Sequence, residues 1–387
     1  MRIAVIAGPE AGHCFPAIAM CLRLLEAGDS PVLLTGAERL GTASAAGVEA
    51  VELVGLEAGV ADDDNDAGTK LHQRAARMAV LNVPVLQRIQ AELVISDEIT
   101  AAGGLAADLM GLPWVELNPH PLYLPSKGLP PIGSGLVPGT GISGRMRDIA
   151  MRYLTGLSIR AGERQRSVAR CSIGLPEHDP GPRRRLIATL PALEVPRPDW
   201  PAEAVVVGPL IFEPTDAVLA PPRGNGPLIV VAPSTAVTGS PGLADLALTD
   251  LVPGRTLPEG SRLVVSRLDG DCGAVPPWAT VGFGRQDELL ADADLVICGG
   301  GHGLLAKAML AGVPMVVVPG GGDQWELANR VVRQGCARLV RPLTPAALAD
   351  AVNEVLAGPR YRESARRAGE SILGVADPVR VCHEAAG

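Results

Sequence analysis

The sequence predicts an α/β protein whose two parallel-sheet domains face each other across a cleft. Three observations carry that expectation. Short apolar runs that read as buried strands alternate with segments of helical apolar spacing, a Pro- and Gly-rich stretch interrupts the alternation, and the alternation restarts beyond it. Strands that alternate with helices pair in parallel through right-handed crossovers, and near-continuous apolar strands suit a sheet covered on both faces. The 387 residues also exceed the roughly 250–300 at which a single core stops growing.

Residues 2–7 (RIAVIA) end at Gly8-Pro9 and read as the first strand; 15–27 follow with helical spacing. SPVLLTG (30–36), VEAVELV (48–54), LVISD (93–97) and PWVELNP (113–119) read as further strands, with a helix over 99–110. The break at 207–227 contains five prolines and three glycines and is the expected linker between a first domain, 1–206, and a second, 228–359. In the second, strands are expected at 228–234, 261–267, 280–284, 294–300 and 313–319, and helices at 286–291, 303–311, 324–334 and 345–357. A further helix with charged faces begins at 360, and the C-terminal helical segment 360–387 is expected to pack back on the first domain. The stretch 145–185 carries ten arginines, which read either as a solvated helix face or as a basic helix touching a membrane; the net charge of −8 favours the solvated face.

Composition narrows the function. A nucleic-acid binder would need a local basic patch against that net charge. Four Trp, three Tyr and three Phe are too few for base-stacking platforms. Seven scattered cysteines, odd in number and without a C-x-x-C pair, fit a reducing cytoplasm better than a disulfide scaffold or zinc site. The opening MRIAVIAGPEAGH is too short an apolar run for a signal peptide, and no stretch is long enough to span a bilayer.

The strand DLVIC runs into Gly299, Gly300, Gly301, His302 and Gly303 and then into a helix. Glycines let main-chain N–H groups approach an anion, and the helix aims its unpaired N–H groups at the same point. Glycine turns also serve tight strand–helix packing. The loop lacks the G-K-[S/T] of a nucleotide P-loop, and Gly8-Pro9-Glu10-Ala11-Gly12 lacks the second glycine of a dinucleotide fingerprint. After the next strand come Gly320-Gly321-Gly322-Asp323-Gln324. An acid beside an amide can fork onto adjacent sugar hydroxyls, although Asp323 could equally cap the helix that follows.

The segment 294–329 resembles the donor-binding signature of the family 1 glycosyltransferases. That pattern places an Asp-Gln pair 24 and 25 positions after a histidine, and counting from Gly299 reaches Asp323 and Gln324. The intervening AGVPMVVVP (311–319) matches, Phe283-Gly284-Arg285-Gln286 with Leu289-Leu290 is similar to the family's nucleobase-pocket segment, and Gly12-His13-x-x-Pro16 is similar to its N-terminal G-H-x-x-P. The likeness spans both domains, is specific in the second, and is slight over 120–260. Three positions depart from it: Gly299 stands for the phosphate-contacting histidine, Leu304 for a hydroxyl residue and Lys307 for a ribose-binding glutamate.

The resemblance implies the GT-B fold, two Rossmann-like domains facing across a cleft, and an inverting glycosyltransferase acting on a UDP- or TDP-sugar and a small apolar natural product. His13 is then the base, oriented by Asp97 at the end of LVISD, which could otherwise cap the helix after it. The donor is expected at Phe283, Gln286, Gly299 to Gly303, Asp323 and Gln324. The acceptor is expected near 60–90 and 118–140, with His120 and Tyr123 as contacts. No cofactor beyond the nucleotide sugar and no metal is required; Asp269/Asp271 of a D-G-D triplet read as a turn, and Asp62-Asp63-Asp64 as a solvated loop. A homodimer or an auxiliary protein is an admitted partner. The departures at 299, 304 and 307 leave the alternative of a degenerate GT-B protein acting as an auxiliary without transferase activity.

Overall fold

A computed structural model describes residues 1–57, 67–234, 239–267 and 275–387. The acidic run 62–64 and the D-G-D triplet at 269–271 lie outside the described residues. The first sheet belongs to β1 (Arg2–Ile6), α1 (Ala11–Glu26), β2 (Ser30–Thr35), α2 (Ala37–Ala45), β3 (Glu49–Glu52), α3 (Ala67–Arg88), β4 (Leu93–Asp97), α4 (Ala102–Met110), β5 (Trp114–Asn118), α5 (Gly141–Ser172), β6 (Arg184–Ile187) and β7 (Ala204–Val206). The second belongs to β8 (Leu228–Ala232), α6 (Leu243–Asp250), β9 (Arg262–Ser266), β10 (Ala279–Gly282), α7 (Gln286–Asp292), β11 (Leu295–Cys298), α8 (His302–Leu310), β12 (Met315–Val317), α9 (Gln324–Arg333), β13 (Ala337–Leu339), α10 (Pro345–Ala357), α11 (Pro359–Glu370) and α12 (Pro378–Ala386).

Every strand pair is parallel. The sheet orders are β3-β2-β1-β4-β5-β6-β7 and β10-β9-β8-β11-β12-β13. The two sheets therefore reverse direction at matching places, between β1 and β4 and between β8 and β11. At such a switch point the loops leaving neighbouring strands part to opposite faces and open a crevice at the carboxyl edge. The central strands β4, β8 and β11 are buried along their whole length, as covered parallel strands must be.

Strands β6 and β7 were not expected from the sequence, because RRLI does not read as a buried strand. Their place at one end of the sheet order explains them: in β6, the last strand but one, Arg185 reaches Glu116 of β5 on one side and Glu203 beside β7 on the other, so its charge is paired. The C-terminal segment differs from the single helix expected to pack on the first domain. It forms two helices. α11 lies on α8 of the second domain, closely enough that a methyl group on Gly369 would meet the Met309 carbonyl oxygen at 2.2 Å. Only α12 crosses to α1, β5 and β6, where His383 Nε2 lies 2.7 Å from Asp29 Oδ2 and Arg183 donates to the Ala385 carbonyl. The Asp377 carboxylate caps α12 through the Val379 N–H, and Pro378 at the first helical position needs no donor.

Candidate active site

The first switch point carries His13 and Asp97. β1 turns through Gly8-Pro9-Glu10 into α1, which places His13 in the helix's first turn. Asp97 closes β4, fully buried, and its carboxylate is used on both sides. Oδ1 faces His13 Nδ1 at 2.7 Å, while Oδ2 accepts from the Ile99 N–H and the Thr100 hydroxyl, each at 3.2 Å. Thr100 Oγ1 in turn accepts from the Gly8 N–H at 2.9 Å, tying the two loops of the switch point together. The two readings of Asp97 are thus compatible: it holds the turn before α4 and orients the imidazole.

A carboxylate only accepts, so His13 Nδ1, facing Oδ1, carries the hydrogen. Nε2 is left with its lone pair, and it has no partner among the described residues. Burial disfavours the charged ring, yet the hydrogen bond and charge of Asp97 outweigh it and hold the His13 pKa above the ordinary value. The charge of neighbouring His120 pulls the other way.

His120 follows β5 and stands edge-on to His13 with ring centroids 6.3 Å apart. Nδ1 lies 2.8 Å from the Pro121 carbonyl oxygen, and Nε2 is hydrogen-bonded to the Glu98 carboxylate. A neutral imidazole has one N–H, so two acceptors call for one further proton, held by the ring or shared with Glu98. Burial works against that proton, but Glu98 prevails and the pKa is raised. The ring stacks on Tyr123 at 4.2 Å. His120 was expected as an acceptor contact, but neither of its ring nitrogens is open. Tyr123 does line a cavity of about 460 Å³ between the loop 125–132 and α5.

The second switch point carries the glycine loop. A methyl group on Gly299 would lie 2.7 Å from Ser234 Cβ and 3.0 Å from Ser234 N, so the tight passage of the loop after β8 excludes a side chain there. The Gly300 N–H lies beside the Cys298 thiol. Open space adjoins Gly301 and Gly303. The first turn of α8 has no acidic side chain, and its N–H groups at His302, Gly303 and Leu304 lack helical partners. Leu304, half-buried, packs against the second domain's core.

His302 and Gln324 do not present their side chains to that space. The His302 ring bridges the domains, with Nε2 2.8 Å from Thr189 Oγ1 and a second hydrogen bond to the Pro119 carbonyl. Burial, with the charges of His120 and Arg330, lowers its pKa to about 3, so it is a neutral strut. Gln324 is buried; its amide donates to Ser234 Oγ at 2.7 Å and its carbonyl accepts from the Gly320 N–H at 3.0 Å. It therefore ties the loop after β8 to the loop between β12 and α9. Asp323 is exposed at the start of α9, makes no capping bond, and accepts from the Tyr123 hydroxyl across the cleft at 3.2 Å. The Trp325 indole N–H donates to the Ser134 carbonyl, and Glu326 accepts from the Gly135 N–H, so the loop after β5 is fastened to α9.

At the far side of the site, Phe283 is partly exposed, whereas the Gln286 carbonyl accepts from Lys307 at 3.1 Å. Lys307 Nζ also lies 2.6 Å from Glu213, a residue of the expected linker. Among the described residues, no group of three or more His, Cys, Asp or Glu side chains is placed to hold a metal ion. Sequence reasoning missed Glu98, Thr100, Thr189, Glu213 and Ser234. Of these, Glu98 and Thr100, just past β4, and Ser234, just past β8, carried a local signal by their place on the carboxyl edge.

Paired doubly wound sheets with facing switch points define the GT-B class of glycosyltransferase architecture. The solved glycotransferase of kitacinnamycin has the same fold, with a TM-score of 0.76 at 20% identity over 99% of this chain and 97% of that one. So does the Streptomyces sp. SF2575 glycosyltransferase SsfS6 solved with thymidine diphosphate, at 0.67 and 18% over 99% of both chains. Residues 263–386 match the family described as erythromycin biosynthesis protein CIII-like, C-terminal domain. The 4'-demethylrebeccamycin synthase of Lentzea aerocolonigenes is 29% identical over 297 residues, 73% of this chain and 70% of that protein. The zeaxanthin glucosyltransferase of Pseudescherichia vulneris is 26% identical over 394 residues, 92% and 90% of the respective chains. The chain is thus similar to natural-product glycosyltransferases over most of its length, and its second domain matches the erythromycin CIII-like family.

Proposed function

We propose that the chain transfers a sugar from a UDP- or TDP-linked donor to a hydroxyl of a small apolar acceptor, with inversion at the anomeric carbon. The observation that carries this reading is the intact His13–Asp97 pair at one switch point, facing unpaired main-chain N–H groups at the other. Nε2 of His13 takes the acceptor's hydroxyl proton, and Asp97 stabilises the resulting imidazolium through Nδ1–H. The acceptor oxygen attacks the anomeric carbon from the face opposite the diphosphate. The carbon–oxygen bond to the diphosphate breaks, and the leaving group carries off the electron pair and the negative charge. That charge is met by the amides of His302, Gly303 and Leu304 and by the positive end of α8. Asp323, with one carboxylate oxygen bonded to Tyr123, has another for a sugar hydroxyl.

The bound nucleotide of the SsfS6 structure and the natural products in the relatives' names support the substrate classes. The substitutions at Gly299 and Leu304 remove an imidazole and a hydroxyl, each of which would contribute about 1.5–3 kcal/mol as a phosphate contact. An auxiliary protein without activity would have no use for a buried carboxylate holding an imidazole in the basic tautomer. The test is His13→Ala, which should abolish transfer while TDP or UDP still raises the melting temperature. Undiminished turnover would remove His13 from the chemistry.

A further inference from the structure

Helix α5 is the least buried long element of the fold. It runs for 32 residues, about 48 Å at 1.5 Å per residue, yet among its described side chains only those of Asp148, Ala169 and Arg170 are buried. Ile142, Met146, Ile149, Tyr153 and Leu157 are all exposed. Steps of four, three, four and four residues put them on one face. Ile149 is 58% exposed and Tyr153 64%. Large apolar side chains exposed in a continuous row mark an interaction surface, unlike single exposed residues.

The charge beside the row indicates what covers it. Arg160 and Arg164 continue the same face toward the C-terminus, and Arg145 flanks it at the other end; all three are exposed. The helix carries seven arginines against one aspartate and one glutamate, in a chain whose net charge is −8. A second copy of the helix laid parallel on the row would set arginines against arginines, and an antiparallel copy would cover the row but give the arginines no acidic partner. A surface that is apolar within and anionic outside satisfies both features at once, and a helix of this kind lies in the plane of a bilayer with its apolar side chains among the acyl groups.

We propose that the exposed face of α5 is a reversible docking surface for anionic lipid. An adjoining side of the same helix, at Arg152, Thr155 and Gly156, walls the cavity of about 460 Å³. Docking therefore brings the cavity alongside the lipid. The face lies outside the cleft, so docking is independent of the transfer chemistry.

The test is sedimentation with vesicles of phosphatidylglycerol, and of phosphatidylcholine as control. The wild-type chain should sediment with phosphatidylglycerol, weakly or not at all with phosphatidylcholine, and less as salt rises. Ile149→Asp with Leu157→Asp should lower the partition coefficient by about tenfold or more. Arg160→Glu with Arg164→Glu should do the same on the anionic vesicles. Both pairs are surface changes, and an unaltered melting temperature and transfer rate toward a water-soluble acceptor show that the fold is intact. The proposal is overturned if the wild-type chain ignores anionic vesicles, if both double variants bind them as well as the wild type, or if the chain is a dimer that these substitutions dissolve.

Discussion

Asp97→Asn isolates the tautomer of His13. An asparagine of the same shape keeps one acceptor oxygen and gains an NH2. The Ile99 N–H cannot accept a hydrogen bond, so the amide oxygen must stay on the side of Ile99 and Thr100. The NH2 then faces His13 Nδ1, which has to become the acceptor. The ring hydrogen moves to Nε2, the atom that should take the acceptor's proton. Loss of a correctly held base lowers turnover by about 10² to 10⁴, and a thousandfold loss corresponds to about 4 kcal/mol of barrier. Melting temperature and TDP affinity should change little, because every buried donor keeps a partner and the proposed diphosphate site is on the other domain. Steady-state kinetics with a sugar nucleotide, read beside TDP calorimetry, measures both. Turnover within about threefold of wild type would refute the tautomer argument, and a parallel loss of TDP binding would show that the effect is not one on the base.

Other outcomes follow from the same geometry. Because Asp97 holds the His13 pKa above the ordinary value, kcat/KM should rise with pH through a midpoint above about 6.5, and in Asp97→Asn any residual activity should show that limb at lower pH. His302 is depressed to about 3 from 6.5, so the unfolded chain binds the extra proton between those values; stability should be complete above about pH 6.5 and fall as pH drops toward 3, and His302→Gln should flatten that limb in melting curves. Gly299→His restores the residue of the family pattern but drives Cβ against Ser234; it should destabilise by about 1–3 kcal/mol in denaturant unfolding rather than improve donor binding. Lys307→Met leaves Glu213 uncompensated and should cost about 3–5 kcal/mol, part of which returns when Glu213→Gln is added.

The strands that position the site were legible because parallel, covered strands leave a continuous apolar trace, as in RIAVI and LVISD. His13 and Asp97 were legible for the same reason, since each sits where such a strand ends. β6 was illegible because Arg185 is paired by Glu116 and Glu203, residues 69 and 18 positions away. The side chains around the dyad follow that rule. Glu98 matters through a histidine 22 positions on and Thr189 through one 113 positions on, and no local pattern encodes either meeting. The Asp323-Gln324 pair shows the limit most clearly. The sequence sets an acid beside an amide, but the fold turns the acid toward the cleft and the amide into the loops behind it, because Ser234 and Gly320 offer a buried amide its partners.

A crystal structure with TDP bound tests the central claim most directly. The diphosphate should lie on the N–H groups of residues 302–304, with the space for the sugar between Asp323 and Nε2 of His13. A diphosphate held elsewhere, or an imidazole turned away from that space, would contradict it.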